Sequence, residues 1–275
     1  MTILEWLKTI PLPPVLYHYT TQTGLLGILQ GNCIWATDSR YLSDSSEYSY
    51  GLERIVGALR DESKNATDRE EAAKIFAIGE DFSPAFSICV VSLSSEGDLL
   101  SQWRAYAGGA GGFALGIRSE PLRKAAHGQG FYLVPCVYTS ADQDELVNRL
   151  INEFKERLAN SKEWGSEQLG GCRALTTRIA MLLKSNTFEE EHEWRLISVP
   201  KTIKEIEFRQ GASMLLPFFR FILDIQPDAY LDSVRVGSTP HRELAIRAVR
   251  MLLRKLEVSN PDPRVVETRI PFRNW

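Results

Sequence analysis

Two kinds of hydrophobic pattern alternate along the chain, which is typical of a protein that contains both strands and helices. Strands are predicted where apolar and β-branched residues cluster, at 15–20, 33–37, 85–93, 113–117, 131–138, the run that starts at Glu193, 204–208, 232–236 and 264–270. Helices are predicted where apolar residues recur at helical spacing, at 24–30, 45–61, 67–80, 98–107, 141–160, 166–185, 214–224 and 240–256.

The order of these elements indicates the fold class. Strands and helices do not alternate strictly, so we expect an α+β fold with a mixed sheet rather than a doubly wound sheet. No internal repeat or low-complexity linker interrupts the chain, and we therefore expect one domain over residues 1–275. In this division, residues 14–140 form an N-terminal half. Residues 141–275 supply two long helices, the Glu193 strand and the last strands.

Composition narrows the class of protein further. The 275 residues are 44% hydrophobic and 24% charged, which is ordinary for a soluble globular protein. A net charge of -3 gives no electrostatic footprint for nucleic acid or an anionic membrane. Neither a signal-peptide core nor a membrane span is recognisable, so a cytoplasmic location is expected. The four histidines are scattered and predict no metal site, and the four cysteines, also far apart, are expected to be reduced core thiols: Cys33, Cys89, Cys136 and Cys172.

The segment 191–199 concentrates charge at the start of an apparently buried strand. Side chains alternate between faces in an extended chain, so Glu191, Glu193 and Arg195 are predicted to share one face. Two carboxylates and a guanidinium leading into the core are costly to bury unless they serve a site. The alternative is a helix-to-strand junction with solvated acids, because two further glutamates precede the segment.

Other short motifs give weaker signals. The glycines at 108–112 lie between a helix and a strand, which is the wrong order for a dinucleotide fingerprint, and a flexible turn explains them. The turn 237–240 follows a strand and offers either an anion-binding geometry or plain helix capping. His18 lies in a strand, where it is either a satisfied core residue or part of a site with its hydroxyl-bearing neighbours.

The joint spacing of several motifs resembles a bacterial family of uncharacterised proteins, the domain-of-unknown-function family numbered 2971. The resemblance extends over nearly the whole chain. Within it, Ser43 stands where relatives tend to carry Asn. The landmarks of this resemblance in the first half of the chain are Leu-Tyr-His-Tyr-Thr at 16–20, the helix at 24–29, 34–37, 42–48, Phe-Ser with Ser-Leu-Ser at 86–94, Leu-Ser-Gln-Trp with Tyr at 100–106, and 112–117. In the second half they are Lys184, Phe with Glu-x-Glu-Trp-Arg at 188–195, 236–237 and 269–273.

A second and more distant resemblance supplies chemistry. The His18 strand with its following helix, the Ser92-x-Ser94 strand and the Glu191-x-Glu193 strand are ordered like the three core motifs of ADP-ribosyltransferases. The resemblance implies an ADP-ribosyltransferase-like domain with a split mixed sheet flanked by helices. The first two motifs fall in residues 14–140, and 141–275 then hold a helical insertion, the Glu strand and the C-terminal strands.

This resemblance also implies roles for the motif residues. His18 would hold the NAD ribose, and Glu193 would bind the nicotinamide-ribose hydroxyl and stabilise the oxocarbenium ion that forms. Glu191 would position or deprotonate an acceptor, which makes these three the expected catalytic residues. A serine stands where relatives with a first-strand histidine often have Tyr. The residues expected to bind substrate are Tyr19, Thr20, Asp44, Ser92, Ser94, Gln102, Trp103, Tyr106, Lys184 and Arg195.

Several of these residues have more specific expected roles. Tyr19, Trp103 or Tyr106 would stack on nicotinamide, with Tyr106 also replacing the missing motif tyrosine. Trp103 belongs to an apolar helix stripe as well, so its ring is expected to be mostly buried, with Gln102 or its neighbour Arg104 facing the cleft. Arg195 would hold Glu193 through a charge-assisted hydrogen bond or contact a phosphate.

Three functions remain open at this stage. The first is an ADP-ribosyltransferase-like enzyme that uses NAD as substrate, needs no metal, and transfers ADP-ribose to water or to an unknown macromolecule, protein or nucleic acid. Such proteins in bacteria often act as toxins or anti-phage effectors, which is an analogy at the level of the fold. The second is another nucleotide- or nucleoside-processing enzyme, such as a glycosidase or phosphotransferase. The third is a non-catalytic protein that binds a small ligand or partner for regulation. No membrane partner is expected.

Overall fold

The computed structural model describes residues 2–42, 45–66, 68–80, 86–108, 112–160, 164–223 and 229–271. The strands are β1 (Val15–Thr20), β2 (Cys33–Asp38), β3 (Cys89–Ser94), β4 (Phe113–Arg118), β5 (Phe131–Pro135), β6 (Glu193–Ser198), β7 (Glu207–Gln210), β8 (Leu215–Ile222), β9 (Leu231–Val236) and β10 (Val265–Glu267). The helices are α1 (Ile3–Leu7), α2 (Gln22–Gly31), α3 (Ser45–Asn65), α4 (Arg69–Ile78), α5 (Leu100–Tyr106), α6 (Ser119–Gly128), α7 (Ser140–Asn160), α8 (Ser166–Ala180), α9 (Arg242–Lys255) and α10 (Pro261–Arg264). Short 3₁₀ turns lie at Ser39–Tyr41, Asn186–Glu191 and Ile203–Glu205.

The strands pair into one mixed sheet with helices on both faces, and the predicted α+β class is confirmed. Its main path runs β10-β9-β4-β1-β3-β2-β8-β7, while β6 pairs with β3 and β5 pairs with β6. Neighbouring named strands are antiparallel except β9 and β10, which are parallel.

Two predictions of secondary structure need correction. The predicted helix 214–224 is wrong, because this segment forms β8, which pairs with β2 on one edge and β7 on the other. Pro217 has no backbone N–H and is unfavourable inside a helix, and aromatic residues suit a half-buried strand. Helix α6 was not predicted, although its buried Leu122 and Ala126 have the i, i+4 spacing of an amphipathic helix.

Several predicted boundaries also move. The helix predicted to end at 185 ends at Ala180, and the strand predicted over 204–208 is a 3₁₀ turn followed by β7. The last strand is limited to Val265–Glu267 within the predicted 264–270. These shifts concern element ends, where the chain leaves its hydrogen-bonded partner and local pattern carries little information.

The sheet splits alongside β3. One edge of β3 pairs with β6 from Val90 to Ser94. On the opposite edge, β1 reaches only Ser94, through Tyr17, while β2 reaches only Cys89 and Val90. Strands β1 and β2 therefore diverge from the same edge of β3 and leave a gap beside its middle residues.

A hydrophobic core lies on each face of the sheet. Because strand side chains alternate, Val91 and Leu93 pack with α2, α6 and α9 on one face, whereas Val90 packs with α1, α3, α4, α7 and α8 on the other. A smaller cluster holds α5 against the β1 and β4 wing of the sheet. The two cores support the sheet on both of its faces, on either side of the gap.

The predicted state of the cysteines is confirmed, since all four are buried and none is in a disulfide. Burial raises the pKa of Cys89 to about 12, which keeps its thiol protonated and unreactive at neutral pH. Among the helices that the structure describes, none has the length and apolarity needed to cross a membrane.

Candidate functional site

A cavity of about 610 Å³ occupies the gap between β1 and β2. Val90, Val91 and Ser92 are consecutive in β3 and all line it, so the cavity extends past the sheet edge to both faces. The first turn of α2 closes one side. There Gly24 approaches β1 so closely that an added Cβ would lie 1.9 Å from the Thr20 hydroxyl oxygen. A volume of this size is in the range that holds nucleotide-sized ligands.

Four charged side chains form an ionic cluster: Lys184, Glu191, Glu193 and Arg195. Lys184, Glu193 and Arg195 line one end of the cavity, whereas Glu191 lies behind Lys184 and is not part of the lining. The Lys184 Nζ lies 2.6 Å from Glu191 Oε2 and 2.8 Å from Glu193 Oε2. Arg195 donates from Nε to Glu193 Oε1 at 2.7 Å and from Nη2 to Glu193 Oε2 at 2.9 Å. Both cations are only 2% exposed, and Glu193 is 6% exposed. Two positive and two negative charges balance, which is the arrangement that makes burial of charge tolerable.

The backbone around the ionic cluster is fixed by further hydrogen bonds. Arg195 Nη1 donates to the Met181 carbonyl at the end of α8. The Glu193 N–H donates to the Tyr138 hydroxyl at 2.8 Å, and the Gln143 side-chain amide donates to the Lys184 carbonyl at 2.7 Å. The ionic cluster therefore also ties β6 to the segments that follow α8 and β5.

The electrostatic consequences are strong shifts in acidity. Burial by itself would raise the pKa of Glu193, but the charges of Arg195 and Lys184 outweigh it and hold this pKa at about 2. Burial would likewise lower the pKa of Lys184, and the Glu193 charge reverses the effect and raises it. At neutral pH both side chains are ionised.

Glu191 and Glu193 both contact Lys184, but they do not share a strand face as the sequence predicted. Glu191 ends the 3₁₀ turn rather than entering β6, and His192 between them adopts a left-handed conformation with φ 44°. The strand parity argument therefore does not apply to Glu191, and the shared lysine brings the two carboxylates together. Within β6, Glu193, Arg195 and Ile197 do share one face.

His18 lies at the gap, where its Nδ1 is 3.0 Å from the Ser92 carbonyl oxygen. A carbonyl oxygen only accepts, so Nδ1 carries the proton and donates. Burial lowers the pKa of His18, with the Ser92 bond opposing this shift, and the ring is therefore neutral at pH 7. The second ring nitrogen, Nε2, then has an acceptor lone pair.

Tyr19 and Trp103 pack against each other. Their rings meet edge to face with centroids 5.0 Å apart, and Trp103 is 3% exposed, as its place in an apolar helix stripe predicted. The Trp103 Nε1 donates to Asp98 at 2.9 Å. The Tyr19 hydroxyl donates to the Glu96 carbonyl and accepts from the Leu99 N–H. Trp103 does not line the cavity, whereas Tyr19 does.

The remaining predicted site residues divide into three groups. Thr20, Ser92 and Tyr106 line the cavity together with His18, Tyr19, Lys184, Glu193 and Arg195. Ser94 and Gln102 are buried away from the cavity lining, with the Ser94 hydroxyl donating to the Glu191 carbonyl at 2.7 Å. Asp44 lies outside the described residues, as do 272–273 of the closing motif. The chemical roles assigned to these residues stay predictions.

Sequence reasoning missed the other end of the cavity, which Trp35, Thr37, Arg209 and Gln210 line. The sequence signal was Trp35 within the 34–37 landmark. The structure shows that Trp35 is exposed while its neighbours in the strand are buried. Arg209 comes from β7 and is placed by the hairpin with β8, the segment that was taken for a helix.

Among the residues in the described ranges, no group of three or more His, Cys, Asp or Glu side chains is arranged to hold a metal ion.

Comparison with known proteins identifies a family without an assigned activity. Residues 102–196 match the family described as Protein of unknown function (DUF2971). No curated protein and no solved structure matches the chain. The matched segment runs from α5 to β6 and contains the ionic cluster, while His18 and Arg209 lie outside it. The similarity to this family is therefore limited to residues 102–196, about a third of the chain, the part that carries Lys184, Glu191, Glu193 and Arg195.

Proposed function

We propose that this protein is an ADP-ribosyltransferase-like enzyme that cleaves the nicotinamide–ribose bond of NAD and transfers ADP-ribose to water or to a macromolecule. The observation that carries the proposal is that His18, Ser92 and Glu193, from three strands far apart in sequence, line one cavity at the split of the sheet. Its volume suits a nucleotide.

In this proposal His18 binds the ribose. Its Nδ1–H is committed to the Ser92 carbonyl, which fixes the plane of the ring. The neutral imidazole then offers Nε2 as an acceptor for a ribose hydroxyl. A group held in this way positions the sugar without carrying a charge that would oppose formation of a cation.

The carboxylates act on the charge that develops. When the bond between C1′ and the nicotinamide nitrogen breaks, its electron pair leaves with nicotinamide and the ribose becomes an oxocarbenium ion. Glu193, whose pKa of about 2 keeps it ionised, contributes negative charge on that side of the cavity. Glu191, with 18% of its side chain exposed, is the more accessible acid and accepts the proton from the attacking water or acceptor hydroxyl. A toxin or anti-phage role would follow from such an activity on a cellular acceptor.

The test is release of nicotinamide from NAD by the purified protein. His18→Ala should lower the rate about 10²-fold, because the ribose is no longer held in a productive position. His127→Ala is the matched control, since His127 is exposed on α6 and does not line the cavity. Nicotinamide release at the wild-type rate by a folded His18→Ala protein would contradict the proposal.

The ionic cluster changes how Glu193 itself must be tested. From shape alone, Glu193→Gln should abolish activity with the fold intact, because the two side chains have nearly the same shape. Since Glu193 pairs with two buried cations, the substitution leaves charge unpaired and should also lower stability. Activity of this variant has to be measured below its melting temperature, beside Glu191→Gln.

A second function, a protein that binds a nucleotide without turnover, is favoured by one specific observation. Both oxygens of Glu193 already accept hydrogen bonds from Arg195 and Lys184. A carboxylate occupied in this way acts on a ligand through its field rather than by direct contact. Binding of NAD with no release of nicotinamide would establish this alternative.

A further inference from the structure

The end of the cavity away from the ionic cluster contains a guanidinium with few partners. The Arg209 Nη2 donates to the Thr37 hydroxyl at 3.1 Å. Its Nε is buried and has no hydrogen-bond partner among the described residues. No carboxylate within the described ranges forms an ion pair with Arg209, whereas the arginine on the adjoining strand, Arg220, pairs with Glu207 at 2.7 Å.

Burial of this cation is unfavourable. The pKa of Arg209 is lowered, and the cause is burial alone, with no opposing contribution from an acid. A half-buried guanidinium that has lost water and gained only a neutral hydroxyl has donors available for an anion. A planar fork of this kind matches phosphate oxygens.

An aromatic side chain stands beside the guanidinium. The Arg209 guanidinium carbon lies 5.5 Å from the centre of the Trp35 ring. Trp35 is held by Phe218, with ring centroids 4.8 Å apart, yet 46% of its surface stays exposed. It lines the cavity, so apolar ring surface faces the space that a ligand would occupy.

We propose that Arg209 and Trp35 form a nucleotide subsite, in which the guanidinium binds the pyrophosphate and the indole contacts the base. The anion site follows from Arg209 alone, while its assignment to NAD rests on the function proposed above. Thr37, which accepts from Arg209, holds the guanidinium at the level of Val90 in β3.

The spacing within the cavity favours an extended ligand. Along β3, Val90 lies at the level of Thr37 and therefore of the Arg209 end. Ser94 pairs with Glu193 and lies at the level of the ionic cluster. Four residues of strand separate these levels by about 13 Å of backbone. A single phosphate ion does not span this distance, whereas a dinucleotide places its phosphates and its reacting sugar at different points along the same groove.

The experiment measures the affinity of ADP-ribose by calorimetry. ADP-ribose carries the pyrophosphate and base but has no nicotinamide bond to cleave, so binding is separated from turnover. Arg209→Gln should weaken binding about 10- to 100-fold, the effect of losing charge-assisted hydrogen bonds. Arg209→Lys keeps the charge without the planar fork, so its affinity for ADP-ribose should lie between those of the wild type and Arg209→Gln. Trp35→Ala should also weaken binding, by about 10-fold or less.

Arg220→Gln is the matched control because it removes the same charge from the neighbouring strand and lies outside the cavity lining. It should bind ADP-ribose as the wild type does. Equal losses for Arg209→Gln and Arg220→Gln would show a general field effect and overturn the subsite, as would wild-type affinity in folded Arg209→Gln protein or no binding by the wild type. Unchanged affinity in Trp35→Ala would overturn the ring contact.

Failure of this subsite and failure of the proposed function give different results. ADP-ribose binding that depends on Arg209, without release of nicotinamide from NAD, supports the subsite and contradicts the enzyme. If the wild type releases nicotinamide and Arg209→Gln binds ADP-ribose as tightly as the wild type does, the result supports the enzyme and contradicts the subsite.

Discussion

The two ends of the cavity solve the problem of burying charge in opposite ways. At one end, Lys184 and Arg195 are nearly inaccessible and each pairs with Glu193, so the ionic cluster is satisfied without a ligand. At the other end, Arg209 has a hydroxyl partner and no ion pair with a described carboxylate. The ionic cluster therefore serves folding as well as the site, whereas the Arg209 end gains most in electrostatic stabilisation when an anion binds.

The largest effect is expected from Lys184→Met. Without the shared cation, the Glu191 and Glu193 carboxylates lie close together and lose their common ion-pair partner. Removing one partner of a buried ion pair lowers the free energy of unfolding by about 3–5 kcal/mol. Chemical denaturation measures this loss. Lys204→Met, at an exposed position, should change stability by no more than about 0.5 kcal/mol. Equal stabilities for the two variants would remove the contrast between the ends.

The next effect is a dependence of stability on pH. The pKa of Glu193 falls from 4.5 in the unfolded chain to about 2 in the folded protein. Its contribution is therefore fully present above pH 4.5 and is lost as the pH falls toward 2, by about 3 kcal/mol in total. The pKa values of Asp38 and Asp98 are lowered too and act in the same direction.

The measurement is denaturation at a series of pH values for wild type and Glu193→Gln. The variant should be less stable at pH 7 and should lose less stability on acidification, because its amide does not titrate. Parallel curves for the two proteins would mean that Glu193 is not stabilised as an anion.

A smaller effect is expected from Ser94→Ala. The Ser94 hydroxyl donates to the Glu191 carbonyl and accepts from the Glu96 N–H, so the substitution leaves two part-buried backbone groups without this partner. Stability should fall by about 1–3 kcal/mol. Ser166→Ala, at an exposed position in α8, is the control. A Ser94→Ala protein as stable as this control would show that the Glu191 turn is held by other contacts.

The smallest effect is expected from Arg209→Gln, which removes the same charge as Lys184→Met. No described carboxylate loses an ion-pair partner, and a costly half-buried charge disappears, so stability without ligand should change by less than about 0.5 kcal/mol. Melting curves give the answer directly. A destabilisation of several kcal/mol would mean that an acid pairs with Arg209 and that the two ends are alike.

The sequence predicted one end of this cavity and not the other for a physical reason. His18 and Glu193 could be found because each lies in a short strand whose pattern is local. Arg209 reaches Thr37 across 172 positions through the β7–β8 hairpin, and a single sequence carries no signal for such pairing. The apolar run of β8 fits either a strand or a helix, and its two neighbouring strands decide between them.

The fold was predictable to a similar extent. The α+β class followed from the order of the elements, but the split of the sheet depends on which residues of β3 pair with β1 and with β2. Helix α6 was overlooked because it is short and mostly polar, although its two buried positions have helical spacing. Glu191 and Glu193 were expected on one face of a strand, whereas they are joined by Lys184 across a left-handed residue that the pattern did not predict.

The split beside β3 also has a mechanical consequence. The wing that contains β1, β4, β9 and β10 and the wing that contains β2, β8 and β7 join through β3. A small rotation of one wing about this strand would widen or narrow the cavity and leave the hydrogen bonds inside each wing in place. A molecule in contact with His18 on one wing and Thr37 on the other would act as a brace, and the twist of the sheet and occupancy of the cavity would then vary together.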